Sequence, residues 1–311
     1  MNKNAIIVLT KGYKTNEEYK DLINRNKSIY DVYYSKLQNK NDYDIVLYHE
    51  GNITNEQQKW IQNQTPNLPL IFKGIEFINF NNSNIKPNNK YCHLTEKAKG
   101  CSNGYKNMCH FWSVDLFKYT KDYKYIIRID EDCVIKKISP SIITEYTKNK
   151  IYYSSPYFQG YDTIDYTMGM EQFFQDINNE KKYENIKFPY TNLFIMYVPY
   201  FLKNMKILEA LSNINDTQCI FINRWGDLPI WGYLLKYYVP QENYIEDKNI
   251  GYIHGSHQAN INLENIKENF EYKNNCKNNG KNNGIIICTL LFLIVLISLG
   301  FFFVLKKVKI L

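Results

Sequence analysis

Between Ala5 and Asp130 short apolar runs alternate with longer helical stretches, and that alternation limits the fold more than any other feature. The strand candidates are Ala5–Leu9, Asp44–Tyr48, Leu70–Phe72 and Tyr123–Asp130. Glu17–Leu37 and Asn55–Gln62 read as helices, with Thr54 as the N-cap of the second. Strand, helix and strand in this order imply an α/β fold with a mostly parallel central sheet and right-handed crossovers. Such sheets bind ligands at the carboxyl ends of their strands. Neither a GxGxxG nor a Walker sequence is present, so dinucleotide and P-loop readings have no support. There is no internal repeat.

The most informative segment is Tyr123-Lys-Tyr-Ile-Ile-Arg-Ile-Asp130-Glu131-Asp132-Cys-Val134, an apolar strand that runs into three acids. On an extended backbone Asp130 and Asp132 point one way and Glu131 the other. Adjacent carboxylates repel, and a divalent cation is the usual offset. Carboxylates suit Mg²⁺ or Mn²⁺, which can bind a nucleotide diphosphate and stabilise it as it leaves. Three readings stand at this point. The segment is a solvated acidic turn, the Asp-x-Asp metal site of a nucleotide-sugar transferase, or the motif of a haloacid-dehalogenase-type phosphatase. In the last, the first Asp is a nucleophile. That family carries its motif on the first strand, whereas here the first strand is Ala5–Leu9.

A second unusual block is Phe221-Ile-Asn-Arg224-Trp225-Gly226-Asp227-Leu-Pro229, which sets a cation, a stacking surface, a flexible joint and a carboxylate side by side. Its plain reading is an Arg–Asp pair at a turn with Trp225 buried. Asn249-Ile-Gly-Tyr-Ile-His254 follows, and a His ending a short apolar run is more often structural than a ligand.

Lys and Arg total 38 against 31 Asp and Glu, a net charge of +7. Residues 263–311 carry seven Lys and three Glu, so only +3 remains on the rest of the chain. A nucleic-acid binder concentrates basic charge on its folded part, and that class is excluded here. Residues 284–305 form an uncharged stretch of 22 residues followed by Lys306, Lys307 and Lys309. As a helix it spans about 33 Å, enough for a bilayer core of about 30 Å. The expected organisation is a catalytic domain over 1–262, a polar Asn/Lys-rich tether over 263–283, a transmembrane helix over 284–305 and a basic tail over 306–311. The protein is then a single-pass, C-terminally anchored membrane protein. Lysines on both flanks leave its orientation undecided. No signal peptide opens the chain. The seven Cys contain no CxxC pair, which speaks against structural zinc; their odd count and wide spacing suit mostly reduced thiols and leave room for one or two disulfides. Together with the Lys-flanked span, they lean towards the cytosolic side. Sequons occur at Asn26, Asn52, Asn63, Asn81 and Asn215, as expected by chance in so Asn-rich a chain.

Taken in order, several blocks resemble the fungal α-mannosyltransferase family of the secretory pathway. Met108-Cys109-His110-Phe111 is similar to its Met-Cys-Arg-Phe. Tyr123–Asp132 resembles its Tyr-Asp-Tyr-Tyr-Trp-Arg-Val-Glu-Pro-Asp strand. Arg224–Pro229 resembles its Arg-Trp-Gly-Asp-Ala-Pro, and Ile250–His254 its Ile-Gly-Tyr-Tyr-His. The stretch Asp44–Trp60 looks like its second strand and following helix, so the resemblance spans residues 5–257. It implies a GT-A fold, GDP-mannose as donor, Mn²⁺ and retention of anomeric configuration. It places the family's metal-holding Glu and His on Asp130 and His254, with Asp132 as the second acid. The family's Trp-Ser-Asn-Phe-Glu-Ile falls on Tyr190–Ile195. That keeps Asn192 and puts Phe194 where the family has a proposed Glu nucleophile. Members carry their anchor at the N-terminus.

The expectation is a metal-dependent glycosyltransferase acting on a glycan or glycoprotein acceptor. Asp130, Asp132 and His254 hold the metal and donor diphosphate. Arg128, Asn192, Arg224 and Asp227 orient sugar and phosphate, and Trp225 either stacks on the acceptor or supports the site from behind. The rival is a non-catalytic membrane protein, carbohydrate-binding or structural, on a decayed transferase scaffold.

Overall fold

The computed structural model describes residues 3–78, 89–160, 162–179, 186–255 and 259–262. Its strands are β1 (Asn4–Leu9), β2 (Tyr43–His49), β3 (Leu70–Gly74), β4 (Tyr125–Ile129), β5 (Cys133–Lys137) and β6 (Tyr153–Ser155). They continue with β7 (Phe158–Gln159), β8 (Phe188–Pro189), β9 (Leu193–Tyr197), β10 (Tyr244–Glu246), β11 (Gly251–His254) and β12 (Ala259–Ile261). Seven of them make the central sheet in the order β10-β6-β9-β4-β1-β2-β3. β1 pairs in parallel with both β2 and β4, β2 with β3, and β10 with β6. Only β9 runs against its neighbours, β4 and β6. The mostly parallel α/β sheet is therefore present. β1 and β4 are wholly apolar apart from their ends and Arg128, as strands covered on both faces must be.

The four early strands fall where the apolar runs place them, within one or two residues at each end. The stretch 17–37 is helical in pieces: a 3₁₀ turn Asn16–Tyr19, an α-helix Lys20–Val32 and a second 3₁₀ turn Tyr34–Lys36. Thr54 caps the helix Asn55–Gln64 as expected. Its side chain accepts from Gln57 N at 3.2 Å and the Gln57 side chain accepts from Thr54 N at 3.0 Å.

One expectation about backbone is corrected. The acids after β4 do not continue as a strand. Cys133 N donates to Asp130 O at 3.1 Å, closing a turn that leads into β5. Asp130 and Asp132 therefore do not share a strand face. β5 leaves the central sheet and joins β11 and β12 in a second sheet of order β12-β11-β5. His254 lies opposite Cys133 in that ladder. This brings the end of the domain beside the acidic turn.

One of the disulfides that the cysteine pattern left open is present. Cys92 and Cys219 form a disulfide with Cα atoms 5.3 Å apart, while Cys109 and Cys133 are buried thiols. A separation of 127 residues hides this pairing from spacing arguments. Hydrogen bonds Asn89 Nδ2 to Thr217 O and His93 N to Asn223 Oδ1 run beside it, at 2.6 and 2.7 Å. Among the described residues no helix is long and apolar enough to cross a membrane. The proposed tether 263–283, span 284–305 and tail 306–311 lie outside the described residues.

The helix Asp227–Tyr238 is buried from Asp227 through Leu235. Trp231 packs among Tyr153, Phe201 and Phe117, and its Nε1 donates to Trp112 O at 2.9 Å. That carbonyl belongs to a π-helical turn, Phe111–Asp115, a distortion often found beside functional sites. Gly232 lets the helix lie against β8. A Cβ there would sit 2.1 Å from the Phe188 ring and 3.1 Å from its Cα. Gly232→Ala is expected to destabilise the domain by about 1–3 kcal/mol through overpacking, despite the better helix propensity of Ala. A urea titration followed by Trp fluorescence measures it. Replacing both Cys92 and Cys219 by Ser is expected to cost about 2–4 kcal/mol in the same assay.

Candidate active site

The site gathers where strands end. β4 finishes at Ile129 and delivers Asp130, Glu131 and Asp132. The loop after β1 brings Thr10 and Tyr13, the segment before β9 brings Tyr190 and Asn192, and β11 brings His254. Asp130 N donates to Asn192 O at 2.9 Å and Gly255 N to Asp132 O at 2.8 Å, so the backbone ties three of these pieces together.

Arg128 stands at the centre and is 2% exposed. Its Nε and Nη2 donate to the two carboxylate oxygens of Asp130 at 2.8 and 2.9 Å. Its Nη1 donates to Asp227 at 2.5 Å. Trp112 lies over the guanidinium at 4.0 Å and Phe194 at 5.7 Å. Burial works against the charge of Arg128, but the two carboxylates more than offset it and raise its pKa above the usual value. Burial pushes the Asp130 carboxyl up, with Arg128 pulling the other way. Both oxygens of Asp130 are thus occupied by Arg128.

Glu131 turns away from its neighbours and accepts from the Thr10 and Tyr13 hydroxyls. A second cation supports the turn from below. Arg25 is fully buried and donates to Ile129 O at 2.8 Å, Ile7 O at 3.2 Å and Asn26 Oδ1 at 2.7 Å. Burial lowers its pKa to about 10, against the nearby charges of the acidic turn.

Asp132 and His254 meet: Oδ2 and Nε2 are 3.3 Å apart. Cys133 Sγ completes a trio whose ligand atoms all lie within 4.8 Å of one another. Burial pushes the Cys133 thiol well above its usual pKa, and it donates weakly to Asn192 O at 3.8 Å. A neutral thiol is a poor ligand for a hard cation, which leaves the carboxylate and the imidazole. Their spacing suits neighbouring ligands on a small divalent ion, since bonds of about 2.1 Å at right angles put ligand atoms about 3 Å apart. The donor chemistry, one carboxylate oxygen and one imidazole nitrogen, fits Mn²⁺.

Arg224 lies three residues before Asp227. Its backbone is left-handed, φ +66°, unusual for a residue with a side chain. The guanidinium is held between the rings of Tyr105 and Tyr166, at 4.6 and 4.2 Å. It donates to the Tyr105 hydroxyl at 2.5 Å and lies 3.8 Å from Asp162. Burial raises the Asp162 carboxyl, with Arg224 opposing. Trp225 is fully buried, its Nε1 donating to Met168 O at 3.1 Å and its ring against Phe173. It packs in the core.

The predicted residues therefore fall into linked groups. Arg128, Asp130 and Asp227 form one ion-paired unit; Asp132, His254 and Asn192 form another. Arg224 belongs to an aromatic cage, and Trp225 to the core. Sequence reasoning missed Arg25, Tyr105, Asp162, Tyr166, Tyr190 and Tyr252. Apart from Arg25 and Asp162 these are tyrosines, in a chain with 28 of them, so no single one carries a signal.

No protein-family profile and no curated protein sequence matches the chain. Solved structures do. Core-mannan synthase A from Aspergillus fumigatus, in its Mn/GDP form, superposes with a TM-score of 0.63 at 18% identity, covering 82% of this chain and 74% of that one. The mannosyltransferase Ktr4p from S. cerevisiae gives 0.65 at 17% identity, covering 81% and 70%. Its complex with GDP gives 0.63 at 17% identity, covering 81% and 71%. The chain has the fold of these GT-A mannosyltransferases.

The ion-paired unit has a direct test. Arg128→Met leaves two carboxylates facing an apolar pocket and is expected to cost about 3–5 kcal/mol. Arg128→Met combined with Asp227→Leu should recover part of that loss, read as the shift in urea midpoint.

Proposed function

We propose that the protein is a metal-dependent glycosyltransferase that uses GDP-mannose. The observation that carries this reading is the Asp132–His254 pair at the carboxyl end of β4, in a sheet shaped like that of the mannosyltransferases. The neighbours' own descriptions name Mn and GDP. Five carboxylates, Asp130, Glu131, Asp132, Asp162 and Asp227, surround the site against the guanidinium groups of Arg25, Arg128 and Arg224. A diphosphate enters such a site only with a cation beside it.

On this reading Asp132 and His254 hold Mn²⁺, which when bound neutralises the charge of the leaving GDP. Arg128 fixes Asp130 and Asp227 so that neither carboxylate drifts onto the donor. Asp227, held by Arg128 at the first turn of its helix, lines the sugar pocket, and Asn192 orients His254 beside it; Arg224 and Asp162 set the wall of the acceptor side. The acceptor is a glycan or glycoprotein. Phe194 is wholly buried on β9 directly opposite Arg128 and stacks on Tyr153. It has no nucleophilic atom, so retention cannot pass through a covalent intermediate at this residue. The departing diphosphate instead takes the proton of the acceptor hydroxyl on the same face of the sugar. Asp130, with both oxygens on Arg128, is badly placed as a phosphatase nucleophile.

The disulfide Cys92–Cys219 suits an oxidising compartment, so we place the domain on the lumenal or outer side, anchored through residues 284–305. Phe194 is also the observation that favours the rival reading, a non-catalytic carbohydrate-binding protein.

The full chain in detergent, heated with GDP or UDP and with or without Mn²⁺, separates these readings. A rise in melting temperature that needs GDP and Mn²⁺ together is expected, worth about 2.7 kcal/mol at a hundredfold excess over Kd. Asp132→Ala should abolish the metal-dependent part and leave the metal-free melting temperature nearly unchanged. A rise with UDP alone would exchange the donor. No rise with any nucleotide would favour the non-catalytic reading.

A further inference from the structure

His254 is held by hydrogen bonds on one ring nitrogen. Asn192 Nδ2 lies 2.8 Å from His254 Nδ1, and the Tyr190 hydroxyl lies 3.0 Å from the same atom. The other end of the Asn192 amide, Oδ1, accepts from the Tyr252 hydroxyl at 2.5 Å. An amide nitrogen donates and does not accept, so Nδ1 is the lone-pair nitrogen in this arrangement. The neutral ring then carries its proton on Nε2, which faces Asp132 Oδ2 at 3.3 Å. In that tautomer His254 offers Asp132 a proton. It offers a cation nothing, because coordination needs the Nε2 lone pair.

The same heavy atoms support the opposite tautomer. Turning the amide through half a rotation sets Oδ1 against Nδ1 and Nδ2 against the Tyr252 oxygen. A tyrosine hydroxyl can accept as well as donate, so after the turn Tyr252 takes a hydrogen from Nδ2 and Tyr190 can share the Nδ1 hydrogen, each now as an acceptor. Nδ1 then carries the proton and the Nε2 lone pair points at Asp132. The turn exchanges an amide oxygen for an NH2 of nearly the same size about a backbone that stays put, its carbonyl accepting from Asp130 N at 2.9 Å.

We propose that Asn192 is a positioning residue, an amide switch that sets which nitrogen of His254 carries the proton. The consequence is that the Asp132–His254 pair alternates between a closed hydrogen bond and an open cation site. This rests on the metal reading above for its purpose, but not for its test.

The test is ¹⁵N NMR of histidine-labelled full chain, with the His254 resonances identified by their loss in His254→Gln. Metal-free wild type is expected to show Nε2 protonated and Nδ1 bare. Asn192→Asp presents only acceptors and should move the proton to Nδ1 without any metal. In parallel, Mn²⁺ affinity is read by electron paramagnetic resonance. Asn192→Leu should bind Mn²⁺ about 10–100-fold more weakly, and Asn192→Asp at least as tightly as wild type. Protonated Nδ1 in the metal-free wild type overturns the proposal, as does an unchanged tautomer in Asn192→Asp. Should wild type bind no Mn²⁺ while both tautomers come out as stated, the metal reading falls and Asn192's control of His254 stands.

Discussion

Arg128 holds together the parts on which the rest of the site depends. It sits on β4, the strand at the middle of the central sheet, and carries a charge with almost no access to water. Such a charge is tolerated only where it is paired and hydrogen-bonded. Asp130 takes two of its bonds and Asp227 a third, so the end of β4 and the start of a core helix are fixed to one planar group. The ring of Trp112 covers its face, and the π-helical turn that carries Trp112 gives its carbonyl to Trp231 on that same helix. A buried ion pair is weak evidence for stability in itself. Here its stronger effect is on shape, since Asp130 is not at liberty to join Asp132.

That arrangement also shows what was legible from residue order. The early strands, the Thr54 cap and the parallel sheet follow from local pattern, because apolar spacing and capping are local physics. The three acids were legible as a problem of repulsion, yet the solution was only partly visible. A cation was expected from outside; the structure adds Arg128 from two residues earlier and Arg25 from the first long helix. Arg25 binds backbone carbonyls and no carboxylate directly, so no charge pattern in the chain points to it. The alternation of side chains that set Asp130 beside Asp132 failed because the backbone turns at Asp130, giving Cys133 N a partner. β6, β7, β8 and β10 are two or three residues each and show no period at all. Cys92 and Cys219 meet only through the folded chain.

Two residues from the Arg-Trp-Gly-Asp block illustrate how one motif divides its labour. Trp225, read from the sequence as either an acceptor platform or a support from behind, lies in the core, where its indole N–H finds a carbonyl. Arg224, beside it, leaves the helix in a left-handed conformation and enters a cage of two tyrosines and Asp162. The backbone reversal at Arg224 is what sends adjacent side chains in different directions. Around Gly226, Pro229, Asp162 and the Arg224 guanidinium lie 3.4–3.9 Å from where a Cβ would be, ordinary contact distances that close the wall without requiring a glycine.

Phe194 gains its meaning from the same charge balance. A carboxylate at this position would lie opposite Arg128 in the ladder and compete with Asp130 and Asp227 for one guanidinium. Three carboxylates on one buried cation leave an unneutralised charge, which is acceptable only when a substrate or proton takes it up. With Phe194, the cation faces two carboxylates and two aromatic rings, and the Asp130–Arg128–Asp227 unit keeps a single excess negative charge. On the proposed reading that loss moves the chemistry off β9. The carboxylates that remain near the proposed cation site, Asp130 and Glu131 beside Asp132, are already held by Arg128, Thr10 and Tyr13, so on this reading the acceptor's proton passes to the phosphate oxygens that Asp132 and His254 would help to seat.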